Sequence, residues 1–167
     1  PTGVWHNQWS GHAFTMDAVN SVGFGDLGNN TLDVVQNNYY TIIFKDNGYT
    51  TTDVSMMETS ASPVYVSTSS RATAAATNPG PGQDVTIDVT LSGVKSADER
   101  VYLVYTTDSW TSRSFVELTN FSGTTSGSAV IPGQAASTTL NYYVMTSTMD
   151  LNGVSATEAE YDLRSIA

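Results

Sequence analysis

The sequence predicts an all-β protein: an immunoglobulin- or fibronectin-like β-sandwich over residues 64–167, preceded by a small, incomplete antiparallel β-sheet domain over residues 1–63. Three observations carry this. Apolar residues alternate with period two in most of the ordered-looking segments, as half-buried strands require. Turn-forming clusters recur every 8 to 12 residues or so in the second part, the spacing of short sandwich strands. Finally, the 167 residues suit one large or two small domains.

In the first part, His12 to Met16 alternates weakly and offers one strand before a Gly-rich stretch from Gly23 to Asn30. Leu32 to Val35, Tyr39 to Phe44, and the segment carrying Val54, Met56 and Met57 read as a three-stranded meander. Its last turn is Asp46-Asn47-Gly48, where Asn-Gly accepts the positive φ a hairpin needs. Three or four strands make a thin sheet with one apolar face to cover, by the second domain, by missing strands or by another molecule. Trp5 and Trp9, with His6, Asn7 and Gln8 around them, supply either the cover for that face, which is the preferred role, or a sugar-binding platform.

In the second part, Ser60 to Pro63 reads as the boundary and Val64 to Val66 as the first strand. The Pro- and Gly-rich segment from Ala72 to Gln83 wraps an edge. Val85, Ile87, Val89 and Leu91 alternate with polar residues, giving the cleanest one-face-buried strand of the chain. Val101 to Tyr105 is apolar at every position and predicts a strand covered on both faces. Thr107 to Ser109 interrupts it, Trp110 stands on the turn, and Phe115 to Leu118 restarts a strand. Ser128 to Ile131, Leu140 to Met145 and Ala159 to Leu163 complete about seven strands, with Tyr142 a candidate tyrosine corner.

The composition narrows function. Cysteine is absent, which removes disulfides, thiolate metal sites and cysteine nucleophiles. Only 13% of residues are charged, a balance more typical of secreted bacterial surface β-proteins than of cytosolic enzymes. The net charge of -10 opposes binding to nucleic acid or to anionic membranes. It is shared evenly: one Lys against six acids up to Val64, five basic against ten acidic residues from Tyr65. No apolar run approaches the roughly 20 residues of a membrane span. His6 and His12 are the only imidazoles, and no nucleophile elbow, phosphate loop or zinc motif occurs, so no enzyme is expected. No cofactor or metal is expected either. Calcium is the one cation worth weighing, because Asp26 to Asp33 and Asp150-Leu151-Asn152-Gly153 offer oxygen ligands on loops, although such clusters are usually turns.

The candidate binding residues centre on Trp110, Tyr105 and Asp108, with Trp5 and Trp9 as a second aromatic pair. Pyranose rings present apolar C–H faces that stack on aromatic rings; the competing role for Trp110 is to cap one end of the core. Val104-Tyr105-Thr106-Thr107-Asp108-Ser109-Trp110-Thr111-Ser112 resembles the Val-Arg-Tyr-Thr-x-Asp-x-Trp-x-Thr signature of starch- and glycogen-binding modules, departing from it where Val104 replaces the family's Arg. That resemblance implies a β-sandwich that binds α-glucan, with Trp110 and Tyr105 at the ligand. Phe44 to Tyr49, Met56 to Val64 and Val130 to Ala135 resemble tandem β-sandwich modules of secreted, glycan-processing or adhesive Bacteroidota surface proteins. Two readings follow: a non-catalytic carbohydrate-binding module of a secreted or cell-surface protein, whose partner is a polysaccharide, or a structural or adhesive subunit of an extracellular filament that adds strands between copies of itself.

Overall fold

The computed structural model describes residues 9–23, 28–48, 51–72, 79–152, 154 and 161–166. Among these, the strands in chain order are β1 (Ala18–Gly23), β2 (Tyr39–Asp46), β3 (Thr51–Thr59), β4 (Val66–Arg71), β5 (Val85–Leu91), β6 (Arg100–Thr106), β7 (Ser114–Glu117), β8 (Ser126–Ile131) and β9 (Asn141–Ser147). They form three antiparallel sheets of order β1-β3-β2, β4-β5-β8 and β7-β6-β9. The protein is therefore all-β.

In the first sheet β2 and β3 form the expected hairpin, and Gly48 takes the required positive φ of 103°. The third strand is β1, not the Leu32 to Val35 segment. Leu32 packs into a core cluster, but Val34 and Val35 are exposed. His12 to Met16 holds only an isolated bridge, between Ala13 and Thr31. Period-two reasoning misses β1 because its two inward-packing valines face opposite ways: Val19 sits in the register of Ser55 and Val22 in that of Thr52. What holds β1 instead is polar. The Asn20 amide donates to the carbonyls of Thr15, Ala18 and Val54.

The chain itself packs against both faces of this sheet, the second part supplying one of the covers the sequence allowed, while Ile42 and Phe44 of β2 stay about half exposed. On one side Val22, Val54 and Met56 are buried under Trp9, Phe14, Met16 and Leu32. On the other, Met57 is buried with Tyr102, Val104, Met145, Met149 and Leu151. That second cluster ties the first sheet to the outer face of β6 and β9.

Between the other two sheets lies the main core: Ile87, Val89 and Leu91 of β5, Val101 and Leu103 of β6, and Ala129 and Ile131 of β8, with Val64, Leu118 and Phe121. The strand expected from Val64 begins at Val66 and is otherwise polar, with a register shift between Val66 and Thr68, a form that suits an edge. Tyr161–Arg164 is a short 3₁₀ turn rather than the end of a strand. Leu163 within it is buried, and Ile166 N–H donates to Thr146 O at 2.7 Å. The tyrosine hydroxyl that clamps this part of the fold belongs to Tyr102. It donates to Met149 O and accepts from Leu151 N–H, each at 3.2 Å.

The segment joining the first sheet to β4 is held by two neighbouring acids. Asp98 accepts from Ser60 Oγ at 2.6 Å, and this bond holds its carboxyl below the usual range. Glu99 is fully buried and accepts from Val64 N–H at 3.3 and 3.4 Å. Burial pushes the Glu99 carboxyl up, and the bonds from Val64 and Thr146 offset part of that.

Two expectations follow. Met57→Ala removes a side chain shared by two layers, so unfolding should lose about 2–5 kcal/mol, read by urea denaturation as a lower midpoint. Because the folded Glu99 carboxyl is raised, the folded state holds its proton more tightly than the unfolded chain. Stability should then fall as pH rises from the unfolded value through the folded one. Glu99→Gln should flatten that slope in denaturation curves taken upward from pH 4.5, the ordinary value of a Glu carboxyl; an unchanged slope would assign it to another group.

Candidate functional site

The turn between β6 and β7 is organised by two side chains of the sequence motif, Thr106 and Asp108. The buried Thr106 hydroxyl donates to Asp108 Oδ1 at 2.7 Å and accepts the N–H groups of Asp108 and Trp110, at 3.2 and 3.1 Å. The Asp108 carboxylate also accepts from Ser112 N–H at 2.9 Å and Ser112 Oγ at 2.6 Å. Its carbonyl accepts from the Thr111 hydroxyl at 3.0 Å. These bonds, those from Ser112 first and then that from Thr106, depress the Asp108 carboxyl to about 2.

This network holds an unusual backbone. Ser109 and Trp110 both have positive φ, 58° and 71°. For a residue as bulky as Trp that region is an outlier, costing on the order of 1–3 kcal/mol. The consequence is that the Trp110 ring folds back over the outer face of the sheet. There Val104 lies between Phe115 of β7 and Tyr143 of β9. Trp110 and Tyr143 have ring centroids 5.2 Å apart at 41°, and the Arg113 guanidinium carbon lies 5.9 Å from the Trp110 ring centroid. Trp110 is half-buried, so one part of the ring packs and the rest faces solvent.

Of the other candidate residues, Asp108 stands in the same turn, its carboxylate bonded to Thr106 and Ser112, whereas Tyr105 and Trp9 are not brought to this place. Tyr105 points to the opposite face of β6 and packs against the core between the sheets. Trp9 packs on Phe44 of β2, centroids 5.3 Å apart at 65°, and against the cluster of Val22, Val54 and Met56. That is the covering role preferred from the sequence. Trp5 lies outside the described residues. The two residues that join Trp110, Arg113 and Tyr143, were not singled out in the sequence. Arg113 stands three positions on, a weak hint, whereas Tyr143 is reached only through the β6–β9 register.

Of the calcium candidates, Asp26 and Gly153 lie outside the described residues. Asp150 accepts from Asn152 N–H at 2.9 Å and lies 3.8 Å from Arg100. Among the described residues no group of three His, Cys, Asp or Glu side chains comes together as a metal site. No described helix is long and apolar enough to cross a membrane. Comparison of the chain with family models, with characterised proteins and with solved structures gives no match.

The turn should be sensitive to acid. A carboxyl lowered from 3.8 to about 2 stabilises the folded turn above its unfolded value, and that contribution is lost as pH falls through the folded one. The Trp110 indole resonance should therefore shift between roughly pH 4 and pH 2. In Asp108→Asn that step should vanish, and a shift surviving the substitution would assign it elsewhere.

Proposed function

We propose that this protein is a non-catalytic carbohydrate-binding module of a secreted or cell-surface protein, and that Trp110, backed by Tyr143 and flanked by Arg113, receives the apolar face of a sugar ring. The observation that carries this is the pair of positive φ angles at Ser109 and Trp110. A residue placed only to cap a core has no need of a strained backbone, and strain held by a dense side-chain network is characteristic of sites that must be preorganised. Arg113 adds guanidinium N–H donors suited to sugar hydroxyls. The facing of β4-β5-β8 against β7-β6-β9 supports an immunoglobulin-like reading of the sandwich, a scaffold that displays loops at its ends. We place the module outside the cell, in keeping with its low proportion of charged residues.

A second reading, a subunit that associates with copies of itself, is favoured by one observation. Ile42 and Phe44 on edge strand β2 are 56% and 52% exposed. Light scattering across a wide concentration range reads this directly: growth in mass supports it, and a monomer throughout removes it.

For the glycan reading the test is calorimetry with soluble starch, laminarin and cellulose. One of them should bind, Trp110→Ala should weaken binding at least tenfold, and Trp9→Ala should leave it unchanged. Absence of binding to all three, or full binding by Trp110→Ala, rejects the proposal.

A further inference from the structure

In the turn that follows β2, the side-chain amide of Asn47 stands one residue before the backbone nitrogen of Gly48. Attack of that nitrogen on the amide carbon closes a five-membered ring, and such an intramolecular geometry makes even a weak nucleophile effective. Glycine leaves the nitrogen unshielded: among the described residues, a Cβ on Gly48 would meet nothing within 4 Å. Asn47 is itself exposed, so water reaches the product.

What the fold adds is a carboxylate at each of the two reacting nitrogens. Asp46 Oδ1 accepts from Gly48 N–H at 2.8 Å, so it lies on the proton that must leave the attacking nitrogen. Asp53 Oδ2 accepts from Asn47 Nδ2, the nitrogen that must depart. A base on the nucleophile and an anion beside a departing nitrogen that develops positive charge both lower the barrier. The chain has a second Asn-Gly step, where Asn152 Nδ2 donates to Glu117 at 3.2 Å and Gly153 lies outside the described residues. It serves as an internal reference for what the dipeptide does by itself.

We propose that Asn47 is a site of self-modification, in which the folded turn promotes loss of its side-chain amide. Gly48 N attacks Asn47 Cγ while Asp46 takes the proton from that nitrogen. The new N–C bond forms as the Cγ–Nδ2 bond breaks, and Asp46 passes the proton to the departing nitrogen, which leaves as ammonia. Water then opens the imide at either carbonyl, giving aspartate or isoaspartate, with no change of oxidation state. The consequence falls on Asp53, which is 4% exposed on the central strand of the first sheet and also accepts from Ser21 Oγ of β1. Modification removes its Asn47 donor and sets a second carboxylate in that place. Two like charges so close, one of them buried, disfavour the folded arrangement. The join between β1, β3 and the turn after β2 therefore loosens as the protein ages, independently of what Trp110 binds.

The full chain is incubated at mildly alkaline pH, folded and in guanidinium chloride, and peptide mapping by mass spectrometry follows amide, aspartate and isoaspartate at Asn47 and Asn152. Asn47 is expected to convert in the folded protein. Asp46→Asn keeps an acceptor for Gly48 N–H but not the base, so it should slow that conversion several-fold while leaving the rate in the unfolded chain unchanged. Retention of the Asn47 amide in the folded protein while the unfolded chain or Asn152 converts would overturn the proposal. A folded Asp46→Asn protein that converts at the unaltered rate would overturn it too. Asn47→Asp reproduces the product directly. Its midpoint in urea should lie below that of the parent protein, and adding Asp53→Asn should recover the loss by again setting an amide against a carboxylate. An unchanged midpoint in Asn47→Asp would overturn the structural consequence.

Discussion

The burial of β6 on both faces is the constraint on which the rest of the fold depends. Val101 and Leu103 point into the core between two sheets, and Tyr102 and Val104 point into the cluster shared with the first sheet. All four are completely buried. A strand covered on both sides cannot slip by one residue without exchanging its two sets of side chains, so its register fixes those of β7 and β9. The first sheet is held in the same way, because Met57 packs into the cluster with Tyr102 and Val104. At roughly 1.5–3 kcal/mol for each large apolar side chain fully buried, this strand dominates the cohesion of three sheets that would each be marginal alone.

Burying so much of one strand leaves polar groups to be satisfied at its two ends, and different acids do this. At the start, Glu99 accepts from the backbone of the segment that leaves the first sheet, at the expense of a carboxyl whose burial disfavours its charge. At the end, Thr106 and Asp108 turn the chain back with a network whose carboxylate is favoured by every bond it accepts. The two carboxyls move in opposite directions for one physical reason: the first is desolvated with weak, long hydrogen bonds, the second accepts short ones at the surface.

The low charge of the chain has a structural counterpart. With few charged residues to place along its edges, the molecule protects itself by other means: a polar, bulged β4 and a C-terminal turn that engages Thr146. Among the described residues, β2 and the rest of β9 carry less protection.

The sequence by itself determined the local elements with strong periodicity. β2, β3, β5 and the two-sided burial of β6 follow from alternation, and the hairpin at Gly48 and the turn at Trp110 from their turn residues. It also marked Asp108 and Trp110 together, within the nine-residue motif from Val104 to Ser112, but not Thr106, whose hydroxyl organises that turn. It did not reveal β1, whose valines face opposite sides, nor that Leu32 to Val35 is not a strand. It placed the last segment in a strand where Tyr161–Arg164 makes a 3₁₀ turn. Only the tertiary structure decided which residues pack on the two faces of the first sheet, that Tyr105 and Trp110 lie on opposite faces, and that Tyr143 and Arg113 join Trp110. Each of these depends on register and packing between residues far apart in the chain, which period and propensity do not encode.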